Sequence, residues 1–486
     1  MILNPIVIKK GEDSVSDAPP TPADVYNATR PSDWLTMPTP EDNEMYLLFH
    51  IPDGYSSLLA FVVTCTGNYT VAIGTVSNGA FVQASSASVA SGSKYEAELF
   101  ADDYGNLTSD GMKQCMVKIS GSGILTWAPK PHTKKTAPRS FASWNIREIM
   151  CKLPSATSII CGGSNAFQAL KKLKYFTCLG SNAIKSMNNM FFACSSLMTI
   201  LELDSSKVTN FSGIFQSCQS LVTIPCLDTS KATNFVSFFN GCSSLVYVPE
   251  INTANATNMS GMFQGCVSLK SVPALNTSKV QTMNGMFQNC QSLKELPMMD
   301  TALVTSMGGM FQNSPSLVTI PPLDTHNVTT MNNLFYNCNS LKSVPALDTS
   351  KVKNMNYMFQ NCSALSEIQA LDTSNVTTMT SMFQGCNALT RIPKLNTGKA
   401  TNMGNVFTNA LTLESVLFDS TVSGWAGYAI SLANCSLSHD AIVAFFNSLP
   451  TITEAKAITL TGNPGVSELT DAEKAIATGK GWTLTL

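Results

Sequence analysis

A segment of 24 residues, LDSSKVTNFSGIFQSCQSLVTIPC at 203–226, returns as LDTSKATNFVSFFNGCSSLVYVPE and then as INTANATNMSGMFQGCVSLKSVPA. It continues to about residue 419 without gaining or losing a residue. A fixed period of this length marks a solenoid, in which each copy is one coil and only stacking on neighbours buries its apolar side. Length is therefore no guide to domain number over this stretch, because a solenoid grows without enlarging a single core.

Four positions of the unit are apolar in every copy. One is always aromatic, from Phe191, Phe215 and Phe239 to Phe383 and Phe407. Leu follows six residues later (Leu197 to Leu413), and Ile, Val or Leu three beyond that. Met or Phe precedes the aromatic by four (Met187, Phe211, Phe235, Met259 to Met403). These ladders are expected to form the core, each buried large side chain contributing ~1.5–3 kcal/mol. The rest of the unit is turn chemistry. Asp or Asn followed by Ser or Thr (Asp204, Asp228, Asn252 to Asn396) can bind local backbone amides and fix a corner, and Pro225, Pro249, Pro273 and their equivalents end the preceding strand. The middle, SGMFQGC, is compatible with a single helical turn.

Of fifteen cysteines, eight occupy one slot per coil: Cys194, Cys218, Cys242, Cys266, Cys290, Cys338, Cys362 and Cys386. Ser314 and Ala410 stand in the same slot. Stacked neighbours are about 4.8 Å apart but point the same way, so reduced, buried thiols acting as small hydrophobes are expected rather than disulfides. No CxxC pair suggests zinc, and a corner ladder with one carboxylate per coil, replaced by Asn in three, is too poor for calcium.

The solenoid does not fill the chain. Residues 1–30, with IVIKK and then EDSVSDAPPTPAD, read as an arm or linker. From 31 to 131 the pattern becomes alternation: MYLLFHI, LLAFVVTC, YTVAIGTV, AFVQASS, YEAELFA and CMVKIS are separated by turns such as PDGYSS and SNG, which predicts a β-sandwich-like or jelly-roll-like domain. Tyr55, Tyr69 and Tyr104 beside these turns are expected to be ordinary loop residues. WAPKPHTKKTAPRS marks a boundary. Residues 132–180 read as a linker and N-terminal cap, in which WNIREIMCKLPS is predicted to be an amphipathic helix covering the open edge of the first coil; Phe167 and Leu173 already match the period. The repeats proper run from 181 to 419. Residues 420–486 are predicted to be capping repeats of strand, Asn/Cys corner and helix, with Ser438 and Thr470 as N-caps, Glu473 closing a capping box, and a last strand at Trp482–Leu486. The fold class is thus β-rich, α+β: an N-terminal β-sandwich-like domain, a leucine-rich-repeat-type solenoid and a helix-strand C-terminal cap.

Only 13% of residues are charged and the net charge is −2, with no basic stripe, so neither nucleic acid nor membrane insertion is expected. MILNPIVIKKGEDSVSDAPP lacks the apolar core of an export signal, GKGWTLTL shows no anchoring signal, and no run of about 18 apolar residues occurs. The four histidines, His50, His132, His326 and His439, lie in different modules, and none of the common catalytic motifs accompanies them. An enzyme is not expected, nor is a cofactor or a metal. The positions free to vary are the pair between the Leu and the aliphatic residue, running Val222-Thr223, Val246-Tyr247, Lys270-Ser271, Lys294-Glu295, Val318-Thr319, Lys342-Ser343, Ser366-Glu367 and Thr390-Arg391. Tyr247, Lys270, Lys294, Lys342 and Arg391 are the candidate ligand face, with Lys207 a further candidate at the corner.

The unit LDTSxVTxMxxMFxxCxxLxxIPx resembles the BspA-type leucine-rich repeat family over about residues 181–419. The closing GNPGVSELTDAEKAIATGKGWTLTL resembles an end module that accompanies such repeats in bacteriophage structural proteins of gut bacteria. The resemblance implies an adhesion or recognition surface without chemistry. Joined to the lack of an export signal, it gives the expectation of a bacteriophage virion protein (tail fibre, tail tip or head decoration) that assembles in the host cytoplasm. In that expectation the arm and β-domain join other virion proteins, the protein is a homo-oligomer of unspecified copy number, and the solenoid meets a host surface glycan or protein. The alternatives are a bacterial surface adhesin and a structural spacer that binds nothing.

Overall fold

The computed structural model describes residues 20–52, 56–104, 107–129, 140–141, 146–161, 169–419 and 429–486. Tyr55, His132, Phe167, the first nineteen residues and most of the expected linker lie outside them. The chain forms two compact units, Met1–Asn255 and Ala256–Leu486. Together they are β-rich, with a leucine-rich-repeat-type β-solenoid and few helices.

In the first unit the six alternating runs become strands β1 (Glu44–Pro52), β2 (Ser56–Thr64), β3 (Asn68–Ser77), β4 (Ala80–Ala90), β5 (Lys94–Phe100) and β6 (Met112–Gly121). They are followed by β7 (Thr126–Pro129), β8 (Ser140–Phe141), β9 (Ile146–Lys152), β10 (Ser158–Ile159), β11 (Tyr175–Cys178) and β12 (Thr199–Ile200). The β3–β4 hairpin turns through Asn78 and Gly79, both at positive φ (52° and 77°), the two-residue geometry whose twist suits paired strands. One sheet runs β10-β7-β2-β5, with β8 beside β2, and the other β12-β11-β9-β1-β6-β3-β4. Their inner faces meet as in a sandwich: the Phe61 ring of β2 lies 6.3 Å from Tyr69 of β3 and 6.4 Å from Trp127 of β7.

The second sheet joins the β-domain to the solenoid. β9 pairs antiparallel with β1 on one side and parallel with β11 on the other, and β11 pairs parallel with β12 in the first coils. WNIREIMCKLPS is therefore strand where it is described, not helix. The register explains the misleading pattern: Leu48 faces Glu148 but Phe49 faces Ile146, so Arg147 is the extra residue of a β-bulge. A bulge stretches the two-residue strand spacing to three, and Ile146 and Ile149, both fully buried, then read like neighbours on a helix. The open edge is covered by a paired strand rather than a helix.

Part of the expected arm also folds. Helix α1 (Pro22–Thr29) starts at a capping box between Thr21 and Asp24, with Pro22 in its first turn. It is held down by Tyr26, whose OH donates to Glu148 Oε1 at 2.8 Å, and by Arg30, whose Nε donates to Glu148 Oε2 at 2.9 Å. Burial raises the Glu148 carboxyl pKa above its usual range, while Arg30 opposes the rise.

The coils of both units share one backbone device. Gln312 N–H donates to Gly309 O and Met310 N–H to Met307 O, both at 3.1 Å, so the middle of the coil is two successive turns and not a helical turn. Residues two before and two after each ladder phenylalanine have positive φ: Gly213 and Ser217 in the first unit, and Gly309 and Asn313, or Tyr357 and Asn361, in the second. Between coils, Gly309, Phe311 and Asn313 donate to the carbonyls of Asn332, Leu334 and Tyr336 at 2.8, 3.0 and 2.7 Å. The rings stack accordingly. In the first unit Phe191, Phe215 and Phe239 follow at 5.6 and 5.7 Å, and in the second Phe263 to Phe407 follow at 5.5–6.0 Å.

Corners are closed by Asp or Asn as expected: Asp228 Oδ1 accepts from Ser230 N–H at 3.0 Å and Asp372 Oδ1 from Ser374 N–H at 2.9 Å. The neighbouring buried Thr links coils, Thr349 Oγ1 donating to Asp372 O at 2.9 Å. The cysteines among the ladder are buried and outside any disulfide, but they do more than fill space. Cys362 Sγ donates to Phe335 O at 3.0 Å and Ser314 Oγ to Phe287 O at 2.8 Å, a bond that Ala410 in the same slot does without. Phe335 O also accepts the Cys338 N–H at 3.0 Å.

The second unit ends in a parallel sheet of β13 (Ile430–Ser431), β14 (Lys456–Thr459) and β15 (Trp482–Thr485), crossed by α2 (His439–Ser448) and α3 (Asp471–Thr478). Ser438 caps α2, and Thr470 with Glu473 forms the capping box of α3. Buried Asn463 donates to Leu432 O and Leu460 O, both at 2.8 Å, and accepts from Leu437 N–H at 3.0 Å.

Two outcomes follow. Cys362→Ala strips one donor from a buried carbonyl and leaves a small void, so it should cost about 1–3 kcal/mol in urea unfolding, whereas Cys362→Ser should stay within about 1 kcal/mol. His50 is fully buried in the first unit, and burial, reinforced by Arg147, pushes its pKa down to about 4. The unfolded chain takes up that proton first. Stability should therefore be lost as pH falls from about 6.5 to 4, by roughly 3 kcal/mol at most, and His50→Leu should flatten that part of the Tm–pH curve.

Candidate ligand-binding face

Each variable pair sits between two core positions. Leu269, Leu293, Leu341 and Leu389 are fully buried, and the aliphatic residue after the pair is buried (Val272, Ile320, Val344) or half-buried. With both flanks held inward, the pair has one direction left, outward. The backbone stacks through single bonds: Val318 N–H donates to Lys294 O at 3.3 Å, Lys342 N–H to Val318 O at 3.2 Å, and Ser366 N–H to Lys342 O at 3.1 Å. Ser343 pairs with Glu367, and Arg391 with Ser415, in parallel bridges too short to count as strands.

In the second unit Lys270, Lys294, Lys342 and Arg391 are all exposed on this face, interleaved with Ser271, Glu295, Thr319, Ser343, Ser366, Glu367 and Thr390. None of the four cations joins an ion pair among the described residues, while Lys394 nearby is held at 3.4 Å by Asp419. A row of free cations and hydroxyls, one coil apart, can donate hydrogen bonds to the oxygens of a polar ligand. It contains no nucleophile-base pair. Tyr247 belongs to the first unit and is half-buried there, beside Val246. The earlier pair Val222-Thr223 is less free than its spacing suggests, because Thr223 is buried. Lys207 is not free at all: its Nζ donates to Asn182 O at 2.7 Å, and Lys231 repeats the contact to Ser206 O at 2.8 Å.

The three described histidines do not converge. His50 is buried in the β-domain, His326 Nδ1 lies 2.6 Å from its own corner carboxylate Asp324, and His439 lies 3.1 Å from the capping Glu473. Among the described residues no group of three or more His, Cys, Asp or Glu is arranged to hold a metal ion.

A second surface escaped the pattern reading. The left-handed positions after the ladder phenylalanines carry Asn289, Asn313, Asn337 and Asn361. Their amides chain, each Nδ2 donating to the Oδ1 one coil back at 2.8–2.9 Å. The next coil has Gly385 there, where a Cβ would lie 2.5 Å from Asn361 Oδ1. Beside this row is a shallow groove of about 330 Å³ lined by Gln291, Asn313, Pro315, Asn337 and Asn339. The signal was present as the alternation of Gly, Asn and Ser around each Phe, which marks positive φ.

Fold and surface together define a leucine-rich-repeat-type β-solenoid with an outward row of non-repeating polar side chains. A family model described as "Mycoplasma protein of unknown function, DUF285" matches residues 164–271, 238–344 and 305–425, more than half of the chain in all. The chain belongs to that family. Among solved structures it is similar to a leucine-rich repeat protein of Eubacterium ventriosum at 19% identity, over 64% of this chain and 89% of that one, with a TM-score of 0.33. It is also similar to the plant peptide hormone receptor RGFR1 in complex with RGF2 (14% identity, 64% and 55% covered, TM-score 0.24) and to the Drosophila Toll–Spatzle complex (14%, 65% and 50%, 0.17). The chain spans about half the length of those two chains. No curated protein matches.

Because these side chains are exposed, replacing Lys270, Lys294, Lys342 and Arg391 together with Ala should change stability by less than about 1 kcal/mol. Loss of the cooperative unfolding transition would show that they hold the coils together.

Proposed function

We propose that the protein is an adhesion or recognition protein, in which the solenoid is scaffold and the outward pair on each coil of the second unit contacts a polar ligand on another surface. One observation carries this reading. The framework positions are consumed by core, corner and inter-coil bonds, while Lys270, Lys294, Lys342 and Arg391 are exposed and unpaired on one face. Lysine and arginine donors suit the oxygen-rich surface of a host glycan or an acidic protein.

The finer reading is a bacteriophage virion component whose N-terminal β-domain attaches to the particle and whose solenoid meets the host cell. It is supported by the resemblance of the C-terminal GNPGVSELTDAEKAIATGKGWTLTL to an end module of phage structural proteins. A second reading is display on a bacterial cell surface; the matching family is described by a cellular source, Mycoplasma, and not by a virus.

In cell-adsorption measurements, the fourfold Ala variant at Lys270, Lys294, Lys342 and Arg391 should bind at least about 10-fold more weakly than the parent chain, the loss of roughly 1.4 kcal/mol. Unchanged adsorption would eliminate this face. Mass spectrometry of mature particles separates the finer readings: the peptides in virions support the first, and their presence only on cells supports the second.

A further inference from the structure

We propose that the second unit carries a binding site for one neutral sugar unit, formed in the shallow groove lined by Gln291, Asn313, Pro315, Asn337 and Asn339. None of these residues belongs to the outward pairs, so the site goes beyond the cationic face and does not depend on it. None is charged either, and a charged ligand would enter without a counter-charge. At about 330 Å³ the groove is near the lower end of ligand sites, about 300–1,000 Å³, which suits a single ring rather than a long chain.

The amides that line it are held in place and only half spent. Asn313 Nδ2 donates to Asn289 Oδ1 at 2.9 Å, Asn337 Nδ2 to Asn313 Oδ1 at 2.8 Å, and Asn361 Nδ2 to Asn337 Oδ1 at 2.8 Å. A primary amide has two N–H donors and two lone pairs, so this row leaves Asn313 and Asn337 each with a second donor and a second acceptor position. The row runs in one direction, and hydrogen bonds in such a chain polarise one another. Asn339 turns its Nδ2 to the carbonyls of Asn337 and Asn361, at 2.9 and 3.1 Å, and so offers its Oδ1 as acceptor. Sugar hydroxyls both donate and accept, and they need mixed partners of this kind on a fixed frame.

Two departures from the repeat fall at this place. The residue after the cysteine slot is Gln291, Pro315 and Asn339 in successive coils, and Ser340 N–H donates to Pro315 O at 3.2 Å across the stack. Pro315 thus sets one apolar ring between two amides, a surface for the C–H face of a sugar. The left-handed position before the slot is glycine at Gly265 and Gly385, where positive φ is free of steric cost. The four coils between them all carry Asn instead, at 289, 313, 337 and 361. Stacking alone does not require the amide, since Gly makes the same turn at both ends of the row. The groove lies on the middle two of the four.

The test is saturation-transfer NMR of the full chain with glucose, galactose and N-acetylglucosamine, each as free sugar and as methyl glycoside. At least one should bind at millimolar concentration, and Asn313→Gly and Asn337→Gly should each weaken it by about 5-fold or more. Equal or better binding of the glycoside points to the end of a glycan, and preference for the free sugar to a monosaccharide. Pro315→Gln, which takes the residue of the coil before, leaves the left-handed turn alone and should weaken binding by about 3-fold or more. Asn289→Gly breaks the row outside the groove and should leave affinity within about 2-fold. Equal weakening there would mean that the row acts by holding coils together, and would overturn the site. The fourfold Ala variant of the outward pairs should bind the sugars as the parent does, so that loss of adsorption and loss of sugar binding are read separately; sugar binding lost in that variant would move it to the cationic face and overturn the groove. No binding of any of the sugars, or equal binding by the parent and any of the three groove variants, would also overturn it.

Discussion

The structure depends on the backbone bonds that pass from one coil to the next. A single coil has no sheet, no helix and too little apolar surface to offset its own ordering. What makes it stackable is the pair of left-handed residues on either side of the ladder phenylalanine, which turn the chain so that alternate amides point along the stack. Every other regularity follows. Rings lie nearly parallel on rings, thiols reach carbonyls one coil back, and threonines bridge corners, because the same backbone is laid down again a coil later.

That repetition is why so much was legible. A position that must pack on its own copy cannot vary, so the phenylalanine, leucine and methionine ladders and the Asx corners could be read by counting. The strands of the β-domain were legible through alternation, and the caps at Ser438 and Thr470 through local chemistry. The failures have physical causes. The bulge at Arg147 gave a strand the spacing of a helix. Two tight turns and one helical turn both bring residues three apart together, so SGMFQGC allowed either. Helix α1 is stabilised by Glu148, more than a hundred residues away, which no local pattern can supply. The same applies to Lys207, which looked free and is bonded to the coil before it.

The cysteine slot shows how a correct reading can still be too coarse. Buried and free of disulfides is right, but the Cys362 thiol and the Ser314 hydroxyl also donate to a carbonyl one coil back, a bond that a purely hydrophobic account leaves out and that Ala410 does without. The surroundings of His50 are the opposite case. Trp34 meets its ring at 4.4 Å and Asp110 lies 3.9 Å from its Nδ1, and no pattern in the chain links the three positions.

The inter-coil bonds also bear on how such a protein can change over generations. Within the second unit each coil from Met259 to Phe407 offers its neighbour the same donors, the same acceptors and the same ring. Gain or loss of one whole coil by unequal recombination would therefore join surfaces that already fit, with no framework residue to repair. The number of outward pairs, and the order of charges along them, can be reshuffled in whole steps. Such a scaffold lets its surface diversify by copying and deletion, faster than by waiting for single substitutions.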